Sequence, residues 1–135
     1  MNELKIIFTL LIAPILLAVK SKFNYGGFIS KNSGWGKSSY LGLCTLIFYM
    51  ILILVLGKSE FYKLCQSICI GRFGGENHLI FLILVPSVGF GLILYPYVAS
   101  DFYTNYVKIN LHNMGWYVSL HGWLMIALIA LIVFV

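Results

Sequence analysis

Uncharged, mostly apolar residues run through this chain in long blocks rather than at helical or strand spacing, and short polar segments between them carry nearly all the charge. Three blocks, 38–57, 79–100 and 109–135, contain no Asp, Glu, Lys or Arg. A hydrocarbon core is crossed by about 20 helical residues rising about 1.5 Å each, so each block is long enough to span. A fourth block, 6–19, has only 14 uncharged residues. Lys5 and Lys20 at its ends can extend it by carrying their ammonium groups to the two interfaces. A cleavable signal peptide fits that block less well, because Ala18-Val19-Lys20 places a lysine where a small residue is needed and Pro14 lies inside the apolar run. The pattern therefore predicts an all-α integral membrane protein: one polytopic domain over 1–135, with four transmembrane helices near 4–20, 38–57, 79–99 and 116–135.

The connections differ in character. The first, 20–37, is rich in Gly, Ser, Asn and Lys and reads as an irregular basic segment. In the second, Phe61, Leu64, Cys65, Ile68 and Cys69 share one side of a helical wheel opposite Lys63, Gln66 and Ser67. That predicts a short amphipathic helix lying in the interface between the second and third spans, ended by Gly71, Gly74 and Gly75. Pro86, Gly89, Gly91 and Pro96 predict a kinked third span that a neighbour can approach closely. Twenty residues counted back from Val135 reach Trp116, which with Tyr117, Tyr95, Tyr97, Phe102, Tyr103 and Tyr106 would form an aromatic belt.

Composition agrees with a membrane chain and changes the reading of its charge. Apolar residues make up 61% and charged ones 10%, against about 45–50% and about 25% in soluble domains. A net charge of +5 would suggest nucleic acid in a soluble protein. Here the lysines and arginine flank apolar blocks, where anionic lipid headgroups account for them and no nucleic-acid partner is expected. Lys20, Lys22, Lys31, Lys37 and Lys108 fall on the side of the first and third connections, and Lys5, Lys58, Lys63 and Arg72 on the other. Five against four is a slight bias toward a cytoplasmic first connection and non-cytoplasmic termini, in a bacterial inner membrane or an organellar inner membrane. Three cysteines do not make a disulfide framework.

Few residues carry candidate chemistry. Gly34-Trp35-Gly36-Lys37-Ser38 is similar in part to a phosphate-binding loop but has Lys31 where the nucleotide version needs glycine. Gly34, Gly36, Lys37 and Ser38 are instead candidate contacts for a lipid headgroup. His121, and with it His112, could be buried polar groups or ligands, with His121 hydrogen-bonding a neighbouring helix; His78 falls on the opposite side, so paired haem ligation is not expected. Cys65 and Cys69 lack the further ligands of a zinc site and are candidates for acylation. No metal, no catalytic residue and no cofactor are expected. The uncharged blocks of the spans hold no Asp, Glu, Lys or Arg, the groups on which most ion-coupled transporters depend. Small multidrug transporters have a similar span count, but their first-span acid has no counterpart in 6–19.

What remains is the chemistry of helix surfaces. Pro86, Ser87, Gly89, Gly91, Ser119 and Gly122 form the expected packing or partner face, with Gly42, Ala127 and Ala130 as further small residues and Thr45 as a further interhelical donor. The sequence thus predicts a non-catalytic protein that binds another membrane protein or copies of itself: an accessory subunit or regulator of a membrane complex, including immunity or exclusion inhibitors. A small oligomeric channel or facilitator lined by 86–91 is the alternative, and a membrane enzyme or haem protein the third reading.

Overall fold

A computed structural model describes residues 3–29, 34–72, 83–107 and 114–134. Among these the chain is helical with no strand, and two helices are long and apolar enough to cross a membrane. His78, His112, Lys31, Lys108 and the start of the predicted third span lie outside the described residues.

Helix α1 (Glu3–Tyr25) is one of the two. Its 23 residues make about 34 Å of helix, so it runs past Lys20 and needs no thinned bilayer. The first connection accordingly begins at Gly26, six residues later than its composition suggested. The helix ends where Gly26 (φ 75°) turns the backbone left-handed, its N–H still bonded to the Lys22 carbonyl at 3.0 Å. Ser21 closes the end by donating to the Gly27 carbonyl at 2.9 Å. Ile6, Leu10, Pro14 and Ser21 face inward, while Phe8, Ile12, Leu16, Val19 and Phe23 face out, so both faces are apolar.

Helix α2 (Lys37–Arg72) starts at the bond from the Tyr40 N–H to the Gly36 carbonyl and is interrupted at Gly57. Gly57 has φ 68° and ψ 168°, a conformation open essentially to glycine alone, and it divides α2 into an apolar first part, Lys37–Gly57, and a shorter second part. Lys37–Gly57 is the other helix able to cross a membrane. It turns Ser39, Gly42, Leu46 and Ile53 inward at helical spacing. The second part continues the helical path through Cys65 and Cys69, whose side chains lie outside the described set, and Phe61 within it is buried in the core.

The centre of the molecule is α3 (Val85–Leu94), packed against α1, α2 and α5. Pro86 occupies its first turn, where a missing N–H removes no helical bond, so this proline opens the helix instead of kinking it. The break comes at Tyr95 (φ −130°, ψ 59°), directly before Pro96, because proline disfavours helical geometry in the residue ahead of it. The predicted third helix is therefore two: α3, then α4 (Pro96–Phe102), which runs into a π-helical turn at Tyr103–Val107. The last helix, α5 (Gly115–Phe134), begins at Met114, whose carbonyl accepts the Tyr117 and Val118 N–H groups.

Small residues set the interhelical distances. A Cβ on Gly122 would lie 2.6 Å from the Gly89 carbonyl oxygen and 2.7 Å from Ile93, so α5 and α3 touch through their backbones. A Cβ on Gly42 would lie 2.4 Å from Ile93, and one on Gly91 would meet Leu17 at 3.1 Å. Ser87 Oγ accepts the Ala13 N–H at 3.2 Å, tying α3 to α1 one residue before Pro14. Phe90, fully buried, fills the space between these contacts beside Tyr49, 6.2 Å between ring centres.

Two substitutions test this packing. Gly122→Ala pushes a methyl into a backbone carbonyl and is expected to destabilise the bundle by about 1–3 kcal/mol. Gly57→Ala meets no atom within 4 Å, yet is expected to cost about 1–3 kcal/mol from backbone conformation alone. Unfolding in detergent checks both; an unchanged midpoint for Gly122→Ala would show that α3 and α5 do not touch at glycine.

Candidate functional site

The break at Tyr95 shapes one end of the bundle, the end at which α1 and α4 finish and α2 and α5 start. Interrupting the helix removes the regular partner of the Ile93 carbonyl, and the buried Ser39 hydroxyl of α2 donates to it at 3.0 Å. Pro96 and Tyr97 then displace the chain toward Gly34 and Gly115, where only glycine leaves room: a Cβ at 34 would lie 2.8 Å from Pro96, and one at 115 would lie 2.2 Å from the Tyr97 ring.

Between these elements lies an open cleft of about 510 Å³ lined by Gly34, Ser38, Ser39, Pro96, Tyr97, Gly115, Trp116, Ser119, Leu120 and Trp123. A small hydrogen-bond network forms part of its wall. The Trp123 indole N–H donates to Ser38 Oγ at 2.8 Å, and Ser38 Oγ lies 3.0 Å from Ser119 Oγ. Among the described residues the lining contains no Asp, Glu, His, Lys, Arg or Cys; it offers serine hydroxyls, Tyr97 and an aromatic wall, and backbone donors.

A second cluster closes the same end on the α1 side. The Tyr25 hydroxyl donates to Asp101, and Lys20 Nζ sits 5.0 Å from the ring centres of both Phe102 and Tyr106, which stack 4.8 Å apart. Lys20 thus meets two aromatic faces in addition to any interface it reaches.

The sequence-predicted residues fall in three places. Pro86, Ser87, Gly89, Gly91 and Gly122 are buried in contacts among α1, α3 and α5, so this packing face is occupied by the chain itself. Ser119, also on that face, is 7% exposed and turns to the cleft. Gly34 and Ser38 line the cleft, while Gly36 and Lys37 are exposed beside it. Ser38 is committed to Ser119 and Trp123, an interhelical link that its place after Gly34-Trp35-Gly36-Lys37 did not signal. His121 is exposed instead of buried, and its bond stays within α5: Nδ1 is 2.9 Å from the Tyr117 carbonyl and the ring lies tilted against Tyr117 at 4.3 Å between centres. Thr45 likewise bonds its own helix, at the Leu41 carbonyl. Among the described residues no three His, Cys, Asp or Glu side chains gather as metal ligands.

The cleft residues that sequence reasoning missed are Ser39, Gly115, Leu120 and Trp123. Trp123 and Ser119 are four apart on one face of α5, a signal that was readable; their pairing with Ser38 depended on the helix break. No protein-family model matches the sequence, and comparison with curated proteins and with solved structures finds no similar chain.

The network predicts coupling between helices. Ser38→Ala and Trp123→Phe should each destabilise, and a double-mutant cycle should return an interaction of about 0.5–1.5 kcal/mol. Strictly additive effects in detergent unfolding would show that the indole and the hydroxyl do not bond.

Proposed function

We propose that the chain is a four-span membrane protein that acts without catalysis, by binding another membrane protein through its outward helix faces. The observation that carries this reading is the inverted distribution of side chains. Among the described residues every buried polar one is a serine, at 21, 39, 87, 100 and 119, and the tight interior contacts are made by glycines, whereas many Leu, Ile, Phe and Val side chains are on the outside. Exposing Phe8, Leu16, Phe23, Phe48, Val55 and Leu124 to water would be costly at about 25 cal/mol for each Å² of apolar surface. Lipid or a partner helix removes that cost, and small residues inside are what helix association in lipid favours.

On this reading α1 and Lys37–Gly57 are the first two crossings, the broken pair α3–α4 the third and α5 the fourth. The part of α2 beyond Gly57 then lies in the interface. Lys20, Lys22 and Lys37 fall at the cleft end, where anionic headgroups would meet them. The partner face moves from the buried glycines of α3 to the outer surfaces of α1, α2 and α5. A cleft lined by serines and aromatic rings, with no carboxylate, imidazole or amine among its described residues, supports binding over reaction. A path through 86–91 finds no support, because Gly89 and Gly91 are in contact with Gly122, Ala13 and Leu17. An accessory subunit or an inhibitor of a membrane complex is the role such a surface fits.

Two measurements test it. Cysteine reporters in the first connection and at Val135 should label from opposite sides of the membrane, and labelling from one side would rule out four crossings. Purification in mild detergent should recover an unrelated membrane protein in fixed proportion; repeated isolation of the chain alone as a monomer would overturn the partner-binding role.

A further inference from the structure

We propose that the cleft at the start of α2 and α5 holds the phosphate headgroup of one membrane phospholipid, with an acyl chain along the exposed leucine row of α5. The inference rests on the membrane reading above and adds a ligand to it.

The cleft offers a hydroxyl hydrogen to an acceptor. Ser38 Oγ receives the Trp123 N–H, and Ser38 and Ser119 share one hydrogen bond, so their mutual contact uses one of two hydroxyl hydrogens. The other hydrogen has no acceptor among the described residues; Ser119 is 7% exposed, Ser38 is exposed, and both residues line the cleft. Beside them the N–H groups of Lys37, Ser38 and Ser39 precede the first bond of α2, which is made by Tyr40. These donors stand together without a carboxylate in the lining. Asp101, the acid at this end, already accepts from Tyr25.

Charge selects an anion as the acceptor. Lys37 is exposed and directly precedes Ser38, and the last turns of α1 at the same end carry Lys20 and Lys22.

Shape selects an amphiphile over a free ion. The cleft volume of about 510 Å³ accommodates more than a bare phosphate. Trp116 and Tyr97 supply the amphipathic rings that sit at headgroup level in a bilayer. Leu120 in its wall begins an exposed row with Leu124, Leu128 and Leu131 on one face of α5. A ligand with a phosphate at one end and a hydrocarbon chain at the other satisfies both parts.

The test uses the full chain in phosphatidylcholine vesicles, titrated with phosphatidylglycerol brominated near the glycerol or with equally brominated phosphatidylcholine, reading tryptophan quenching. Half-maximal quenching is expected at about fivefold lower mole fraction of the anionic lipid, the preference one lysine supplies near a charged headgroup. Lys37→Ala and Ser119→Ala should each reduce the preference, while Lys22→Ala, which removes the same charge from the same end, should leave it unchanged. Equal quenching by the two lipids, or equal losses for Lys22→Ala and Lys37→Ala, would overturn the site and indicate only diffuse surface charge. Release of the chain from vesicles by alkaline carbonate would overturn the membrane reading itself; retention with equal quenching sinks the lipid site alone.

Discussion

The backbone contact between Gly89 of α3 and Gly122 of α5 is the constraint on which the rest of the bundle depends. With no side chain on either residue, the carbonyl of one helix lies against the α-carbon of the other. That approach brings Ile93 against Gly42 and Gly122, brings Gly91 against Ala13 and Leu17 of α1, and leaves Phe90 enclosed. Dispersion contacts are individually small and fall off steeply with separation, so an ångström of added distance would loosen every neighbouring contact at once. Such an interior adds close backbone approach at the glycines to the burial of side chains such as Ile6, Leu10, Ile53 and Phe90.

Much of the fold was legible because its signals are local. Long uncharged blocks gave helices, and α1 and Lys37–Gly57 have the length and apolarity that the pattern implies. Pro86 and Pro96 announced a disturbed third segment, but proline alone does not say which one breaks a helix; Pro86 lies in a first turn that tolerates it, and Pro96 follows the break. The end of α1 was misplaced because lysines at 20 and 22 resemble a loop in composition, whereas Gly26 supplies the actual stop.

The site was legible only in part, for a physical reason. Gly34, Ser38 and Ser119 could be singled out from residue type, yet their meeting requires α2 and α5 to start at the same end and α4 to be offset by the break at Tyr95. Such geometry is set by packing over a separation of 81 residues between Ser38 and Ser119. His121 shows the opposite error. A histidine in an apolar block suggests a buried partner, but the Tyr117 carbonyl one turn earlier satisfies its nitrogen without help from another helix.

Gly57 carries a mechanical consequence. The two parts of α2 meet at a residue with no neighbour within 4 Å of its missing side chain, while Phe61 in the second part is held in the core and Ser39 and Gly42 in the first are held against Ile93. Lys37–Gly57 has a set length of about 31 Å over its 21 residues. On the membrane reading, a bilayer of different thickness would tilt that rod, and the open space at Gly57 is where the change of angle would fall. Both parts are anchored in the interior, so the tilt would load the contacts of Ile93 and Phe61.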